Sequence, residues 1–175
     1  MKPALLAAGL SLAIAGCSLL PRSEPAPRAS QIPEQAQEPA PPAPPRADLA
    51  AGMVDAARAM LGQPYKFGGA APGGFDCSGL VAFSAASVGV RLPRTAREQL
   101  HSGWPVERAR VKTGDLVFMR LAHKELHVGI AIDGGRFIHA PATGGRVRID
   151  SLGAAPYSRG FLSARRVIDA PPSGH

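Results

Sequence analysis

The sequence predicts an α+β domain, with N-terminal helices packed on an antiparallel β-sheet. Three observations predict it. Apolar residues recur at helical spacing before Gly89, and after Gly103 the period changes to two. Helices come first and a meander of strands follows, the order of segregated α+β domains. The proline-rich stretch before Asp48 cannot join that core.

Leu49, Met53, Val54, Ala57, Met60 and Leu61 recur as one helical face, which Gly62 and Pro64 end. A loop rich in glycine runs from Gly68 to Gly74. Asp76 is placed to cap a second helix from Cys77 to about Val88, with Gly89 just beyond it. Thr95-Ala96-Arg97-Glu98 is a capping box, so a short third helix reaches about His101. Leu116 to Met119 reads as a strand, and Val128, Ile130 and Ile132 alternate in the next. Asp133-Gly134-Gly135 turns the chain so that Arg136 to Ala140 pairs back. Gly144-Gly145 turns it again into Arg146 to Ile149, and a last strand covers about Phe161 to Ile168.

Four segments make up the 175 residues. Residues 1–17 have a charged start, a short apolar core and a small-residue end, which is the layout of an export signal. It closes on Ile14-Ala15-Gly16-Cys17, which resembles the bacterial lipobox and implies acylation of Cys17; an ordinary signal with an incidental cysteine is the alternative. Residues 18–47 read as a Pro/Ala-rich disordered tether, because nine of the chain's prolines fall between Pro21 and Pro45. A partner-binding proline motif would share that composition. Residues 48–169 form the folded domain and 170–175 a flexible tail.

The balance of 20 basic against 13 acidic residues gives a net charge of +7 and suits an anionic partner. Aromatics at 5% and scattered arginines argue against nucleic acid. No apolar run reaches the roughly 18 residues of a spanning helix. Two cysteines cannot build a disulfide framework.

Cys77 stands at a predicted helix N-terminus, where free N–H groups and the helix dipole favour the thiolate. A buried structural thiol and a disulfide to Cys17 are the other readings; acylation of Cys17 would remove the second. A thiolate nucleophile needs a base and an orienter. If Asp133-Gly134-Gly135 is a three-residue loop with Gly in the left-handed position, Ile132 pairs with Arg136. His127 then lies opposite Pro141, and His139 is its diagonal neighbour on the same face, about 7–8 Å away along the backbone. A two-residue loop would put the two on opposite faces. His123-Lys124-Glu125-Leu126-His127 is not H-E-x-x-H and straddles a loop, so no metal is expected. His101 reads as surface or satisfied core, and His175 lies in the polar tail.

Tyr65-Lys66-Phe67-Gly68-Gly69, Asp76-Cys77-Ser78-Gly79-Leu80, Leu92-Pro93-Arg94-Thr95, Thr113-Gly114-Asp115-Leu116-Val117, His127-Val128-Gly129-Ile130 and Phe137-Ile138-His139-Ala140 together resemble the NlpC family of cell-wall cysteine peptidases. The likeness runs from about Leu49 to Ile168 and extends to outer-membrane lipoprotein murein endopeptidases. It implies a papain-like NlpC fold with Cys77 as nucleophile, His127 as base and His139 as its orienter. It implies that Tyr65 helps to bind the oxyanion and that Asp76 and Ser78 line the substrate cleft. A merely packed Tyr65 is the alternative. The implied substrate is peptidoglycan, cut at the γ-D-glutamyl-diamino acid bond or the D-alanyl-diamino acid cross-link, without a cofactor. The implied protein is a monomer anchored by lipid to the inner leaflet of the outer membrane, facing the periplasm. An N-acetylmuramoyl-L-alanine amidase and an inactive peptidoglycan-binding lipoprotein are the competing readings.

If Cys17 carries the anchor, Cys17→Ser abolishes fatty-acid labelling of the chain and releases it from membranes. Labelling that persists in that variant refutes the anchor.

Overall fold

The computed structural model describes residues 46–121, 126–142 and 145–168. The export signal, Cys17, nearly all of the tether, His123 and the tail with His175 lie outside the described residues.

Helix α1 (Arg46–Arg58) begins two residues inside the stretch read as tether. It carries Asp48 in its first turn and Arg58 in its last, each matched to the helix dipole. Met53, Val54 and Ala57 are its buried face. Gly62 then turns the chain with φ +81°, and its N–H donates to the Val147 carbonyl at 2.9 Å. The Gly-rich loop folds on itself as two short strands, β1 (Ala70–Ala71) and β2 (Gly74–Phe75). Helix α2 (Cys77–Ala86) follows at once, and α3 (Ala96–Gln99) has the expected capping box between Thr95 and Glu98.

The main sheet holds β3 (Trp104–Val106), β4 (Leu116–Arg120), β5 (Leu126–Ala131), β6 (Arg136–His139), β7 (Arg148–Ser151) and β8 (Phe161–Arg166). Every pairing is antiparallel. The order is β3-β8-β4-β5-β6-β7, so the expected meander holds only from β4 to β7. The last strand returns to pair with β4, and β3 docks outside it. Periodicity locates strands but carries no information about which edge a returning strand joins. Pro105 in β3 has no N–H to donate, which suits its place at the sheet edge.

Both faces of the sheet are covered, which accounts for the unbroken apolar run in β4. Leu116 and Phe118 pack with Met53, Leu80 and Val81 of the helices. Val117 and Met119 pack with Val111, Phe137 and Tyr157 in a second cluster. Tyr157 belongs to α4 (Tyr157–Gly160), a single turn too short to leave a helical period in the sequence.

Asp115 in the Thr-Gly-Asp motif is 1% exposed and forms two hydrogen bonds with Arg166, at 2.8 and 2.9 Å. That buried pair ties the end of β8 to the start of β4. Removing one partner would strand a charge in the interior.

The turn between β5 and β6 departs in one respect from expectation. Ile130 faces Ile138 and Ala131 faces Phe137, which is the register of the three-residue loop. Neither Gly134 nor Gly135 adopts the left-handed conformation, however. The Asp133 side chain makes the turn instead, accepting from the N–H groups of Gly135 at 2.9 Å and Arg136 at 2.8 Å. Farther on, the strand read as Arg146 to Ile149 lies two residues later, over Arg148–Ser151.

Gly79 in α2 passes so close to the Gly69 backbone that a Cβ would fall on the Gly69 carbonyl oxygen. Gly79→Ala is therefore expected to destabilise the domain by about 1–3 kcal/mol. The urea midpoint should fall with the slope unchanged; an unchanged midpoint would show that the loop gives way freely.

Candidate active site

Helix α2 owes its position to Asp76. This residue is the N-cap, and its Oδ1 accepts from the Gly79 N–H at 2.6 Å. Arg94 grips the same carboxylate with both guanidinium nitrogens, at 2.9 and 2.6 Å. The Gly68 N–H and the Ser78 hydroxyl complete five donors, at 3.0 and 3.3 Å. Burial works to raise the Asp76 pKa, but Arg94 and the amides of Gly79 and Gly68 outweigh it and hold the carboxyl below its ordinary range. Ser78 is buried and shares Arg94, whose NH1 lies 3.2 Å from its oxygen. The two residues read as cleft-lining thus brace the loop and the helix start. Arg94 also reaches the Gly69 carbonyl at 3.3 Å. Buried Gln99 bonds the carbonyls of Ser78 and Pro93, holding α3 beside the same site.

Cys77 is a free, partly buried thiol at the first position of α2. The helix packs on β5, and the Val128 amide, next in chain to His127, acts on the sulfur. Burial is the largest influence and pushes the thiol pKa up, and the Asp76 charge adds to it. The amides of Val128, Ser78 and Cys77 favour the thiolate, as expected at a helix start, but do not prevail. The helix start alone favours the thiolate, but burial outweighs it and holds the thiol above its ordinary pKa.

His127 and His139 are 6% and 0% exposed. Nε2 of His127 lies 2.7 Å from Nδ1 of His139, and the rings meet edge to face. Burial, the neighbouring imidazole and Arg148 together pull the His127 pKa down to about 3. Both members of the pair thus favour the neutral form. With Nε2 engaged by His139, Nδ1 is the ring nitrogen left to take a proton.

Beyond His139 stands a residue the sequence reading missed. Nε2 of His139 lies 2.9 Å from Oδ2 of Asp150 on β7. Tyr157 Oη and Arg148 Nε donate to the same oxygen at 2.7 and 2.9 Å. The orienting histidine therefore has a carboxylate behind it. Arg148 and Asp150 are two apart on one strand and so share a face, but nothing local marks that face as the one beside His139.

Tyr65 is half-buried against the helix-side core. Its backbone bridges Phe75, and its N–H donates to Gly145. It therefore runs beside the segment that leads into Cys77. A cavity of about 310 Å³ lies in the adjoining loop, lined by Lys66 and residues 68–74. His101 is exposed. Among the described residues, no three His, Cys, Asp or Glu side chains converge as metal ligands.

Residues 62–166 match the model of the NlpC/P60 family. The chain belongs to the NlpC/P60 family. It is 43% identical over 115 residues to the murein DD-endopeptidase MepH of Escherichia coli, covering 62% of this chain and 42% of that protein. It is 35% identical over 122 residues to the murein DD-endopeptidase MepS/murein LD-carboxypeptidase of the same species, covering 69% and 64%. The chain thus spans less than two thirds of either relative's length. Among solved structures, an NlpC/P60 family protein from Bacillus cereus superposes with a TM-score of 0.65 at 30% identity, over 73% of this chain and 41% of that one. The NlpC/P60 domain of the peptidoglycan hydrolase SagA gives 0.60 at 32% identity, over 67% and 98%. The α+β fold is that of the family.

The buried imidazole makes stability depend on pH. His127 has a folded pKa of about 3 against an ordinary 6.5, so protonation favours the unfolded chain. Its contribution is complete above pH 6.5 and is lost as pH falls toward 3. Between pH 6.5 and 5 the loss amounts to about 2 kcal/mol. Urea midpoints at pH 7 and pH 5 should separate more for the native chain than for His127→Gln, which takes up no proton. Equal separations would show that His127 is not held neutral.

Proposed function

We propose that this chain is a lipid-anchored cysteine endopeptidase that hydrolyses peptide bonds in peptidoglycan stem peptides or cross-links. The observation that carries the reading is the line of buried rings from β5 to β6 beside a thiol at a capped helix start. Membership of a family whose relatives are named murein endopeptidases supports the substrate class. The net charge of +7 suits a polymer whose stems carry free carboxylates.

The chemistry follows from the resting protonation states. Cys77 Sγ attacks the carbonyl carbon of the scissile bond while its proton passes to Nδ1 of His127. Moving the proton during attack means that no ion pair has to stand in a buried site beforehand. The C=O electron pair collects on oxygen, to which the Cys77 N–H at the helix start donates, with the Tyr65 hydroxyl as the second donor that the family resemblance implies. The C–N bond then breaks as His127 returns its proton to the leaving amine. Water, activated by the same nitrogen, hydrolyses the thioester and restores the thiol. His139 accepts from Nε2 of His127 throughout and stabilises the transient imidazolium.

The lipobox and the Pro/Ala-rich stretch support an anchor with reach. Residues 18–45, the part of that stretch before α1, span roughly 30 Å as a coil and about 90 Å in polyproline II. Such a tether lets a domain held at the inner leaflet of the outer membrane act on a polymer layer below it. The serine after Cys17 favours that membrane.

The reading is tested by digesting purified peptidoglycan with the full chain in detergent and weighing the products. A new amino and a new carboxyl terminus within stems or cross-links is the expected result. Folded Cys77→Ala should release none. Full activity in that variant would end the cysteine-peptidase reading, and release of intact stems from the glycan would make the chain an amidase.

A further inference from the structure

We propose that Asp150 is a positioning residue that sets the direction of every proton between β7 and Cys77, and that Arg148 and Tyr157 keep His139 neutral so that this direction holds. The proposal rests on the peptidase reading only for its turnover readout.

A neutral imidazole has one donor nitrogen and one acceptor, and a carboxylate only accepts. Asp150 therefore obliges His139 to carry its proton on Nε2, the nitrogen 2.9 Å away. Nδ1 of His139 is then an acceptor. The nitrogen 2.7 Å from it, Nε2 of His127, must hold the next proton. Nδ1 of His127 is left bare, which is the state a base facing a thiol requires. A single carboxylate thus fixes the tautomers of two rings in series. Without it the chain runs equally well in reverse, with a proton on Nδ1 of His127, where no proton from Cys77 can be accepted.

An unmatched carboxylate would overshoot. It would draw a second proton onto His139, whose Nδ1 would then donate and reverse His127. Two partners prevent this. Arg148 Nε and Tyr157 Oη lie 2.9 and 2.7 Å from the same Oδ2 that faces His139, and Arg148 NH2 lies 3.2 Å from Tyr157 Oη. Among the described residues, the charged and titratable groups around His139 are thus His127 on β5, Arg148 and Asp150 on β7, and Tyr157 on α4, and the Phe137 ring packs against it at 4.6 Å. Burial depresses the His139 pKa, Asp150 works against it, and Arg148 adds to the depression, leaving it below its ordinary value.

The experiment compares the full chain with Asp150→Ala, Asp150→Asn and Arg148→Gln. Nitrogen-15 NMR of the histidine rings reads the tautomers, alkylation of Cys77 by iodoacetamide reads the pH profile, and peptidoglycan cleavage reads kcat and KM. In the native chain both rings should be neutral with the proton on Nε2 at pH 7. Asp150→Ala should lower kcat roughly 10²-fold, the lower end of a general base's contribution, with KM near native. Asp150→Asn, whose amide oxygen still accepts, should stay within about tenfold. Arg148→Gln should move the acid limb of Cys77 alkylation to higher pH, because His139 protonates more readily. A native His127 protonated on Nδ1, native turnover in Asp150→Ala, or an unmoved acid limb in Arg148→Gln each overturns the proposal. A native chain that leaves peptidoglycan uncut while tautomers and alkylation behave as stated refutes the peptidase reading and sustains this one.

Discussion

The contact between Nε2 of His127 and Nδ1 of His139 depends on one strand register. The rings come from different strands and meet as diagonal neighbours. A slip of one residue would turn either ring to the other face. Asp133 holds the register by closing the β5–β6 turn with its own side chain, and Phe137 and Ala131 pin it from the core. Gly129 leaves the space this requires: a Cβ there would press on the Phe137 ring, the Ile138 carbonyl and the Cβ of His139. The sheet is thus built around two polar rings in a place otherwise reserved for apolar side chains.

The second half of the site is held by a different kind of interaction. Asp76 and Arg94 form a hydrogen-bonded ion pair that joins the Gly-rich loop, the start of α2 and the approach to α3. Its worth lies in geometry more than in energy, since Arg94 is 41% exposed and solvent screens the charge. The cap fixes where α2 begins, and hence where Cys77 stands. The sheet then needs only to present β5 to that point. Two independent supports, one polar and one apolar, meet at the thiol.

Burial decides the electrostatics of the meeting place. It opposes charge on both Cys77 and His127, so the resting pair is neutral despite the helix N-terminus. Charge is moved outward instead, to Asp150 and Arg148 at the rim, where hydrogen bonds satisfy it. A neutral interior bounded by a compensated ion pair avoids the cost of a standing buried thiolate.

Much of this was legible in the chain itself. The capping box, the Asp76 cap, the helix-to-strand change of period and the register of the β5–β6 turn are local properties, set by hydrogen bonds and packing within a few residues. They sufficed to place Cys77 at a helix start and to pair His127 with His139. The insertion of β8 between β3 and β4, the Asp115–Arg166 pair, the clasp of Arg94 on Asp76 and the carboxylate behind His139 were not legible. The first three join residues 18 or more apart in sequence. Asp150 is only 11 residues from His139 and on the adjacent strand, but no local pattern shows that the pairing of β6 with β7 brings its carboxylate to the ring. The resting charge of Cys77 belongs with them: sequence shows the helix dipole that favours the thiolate, but only the packed structure shows the burial that outweighs it.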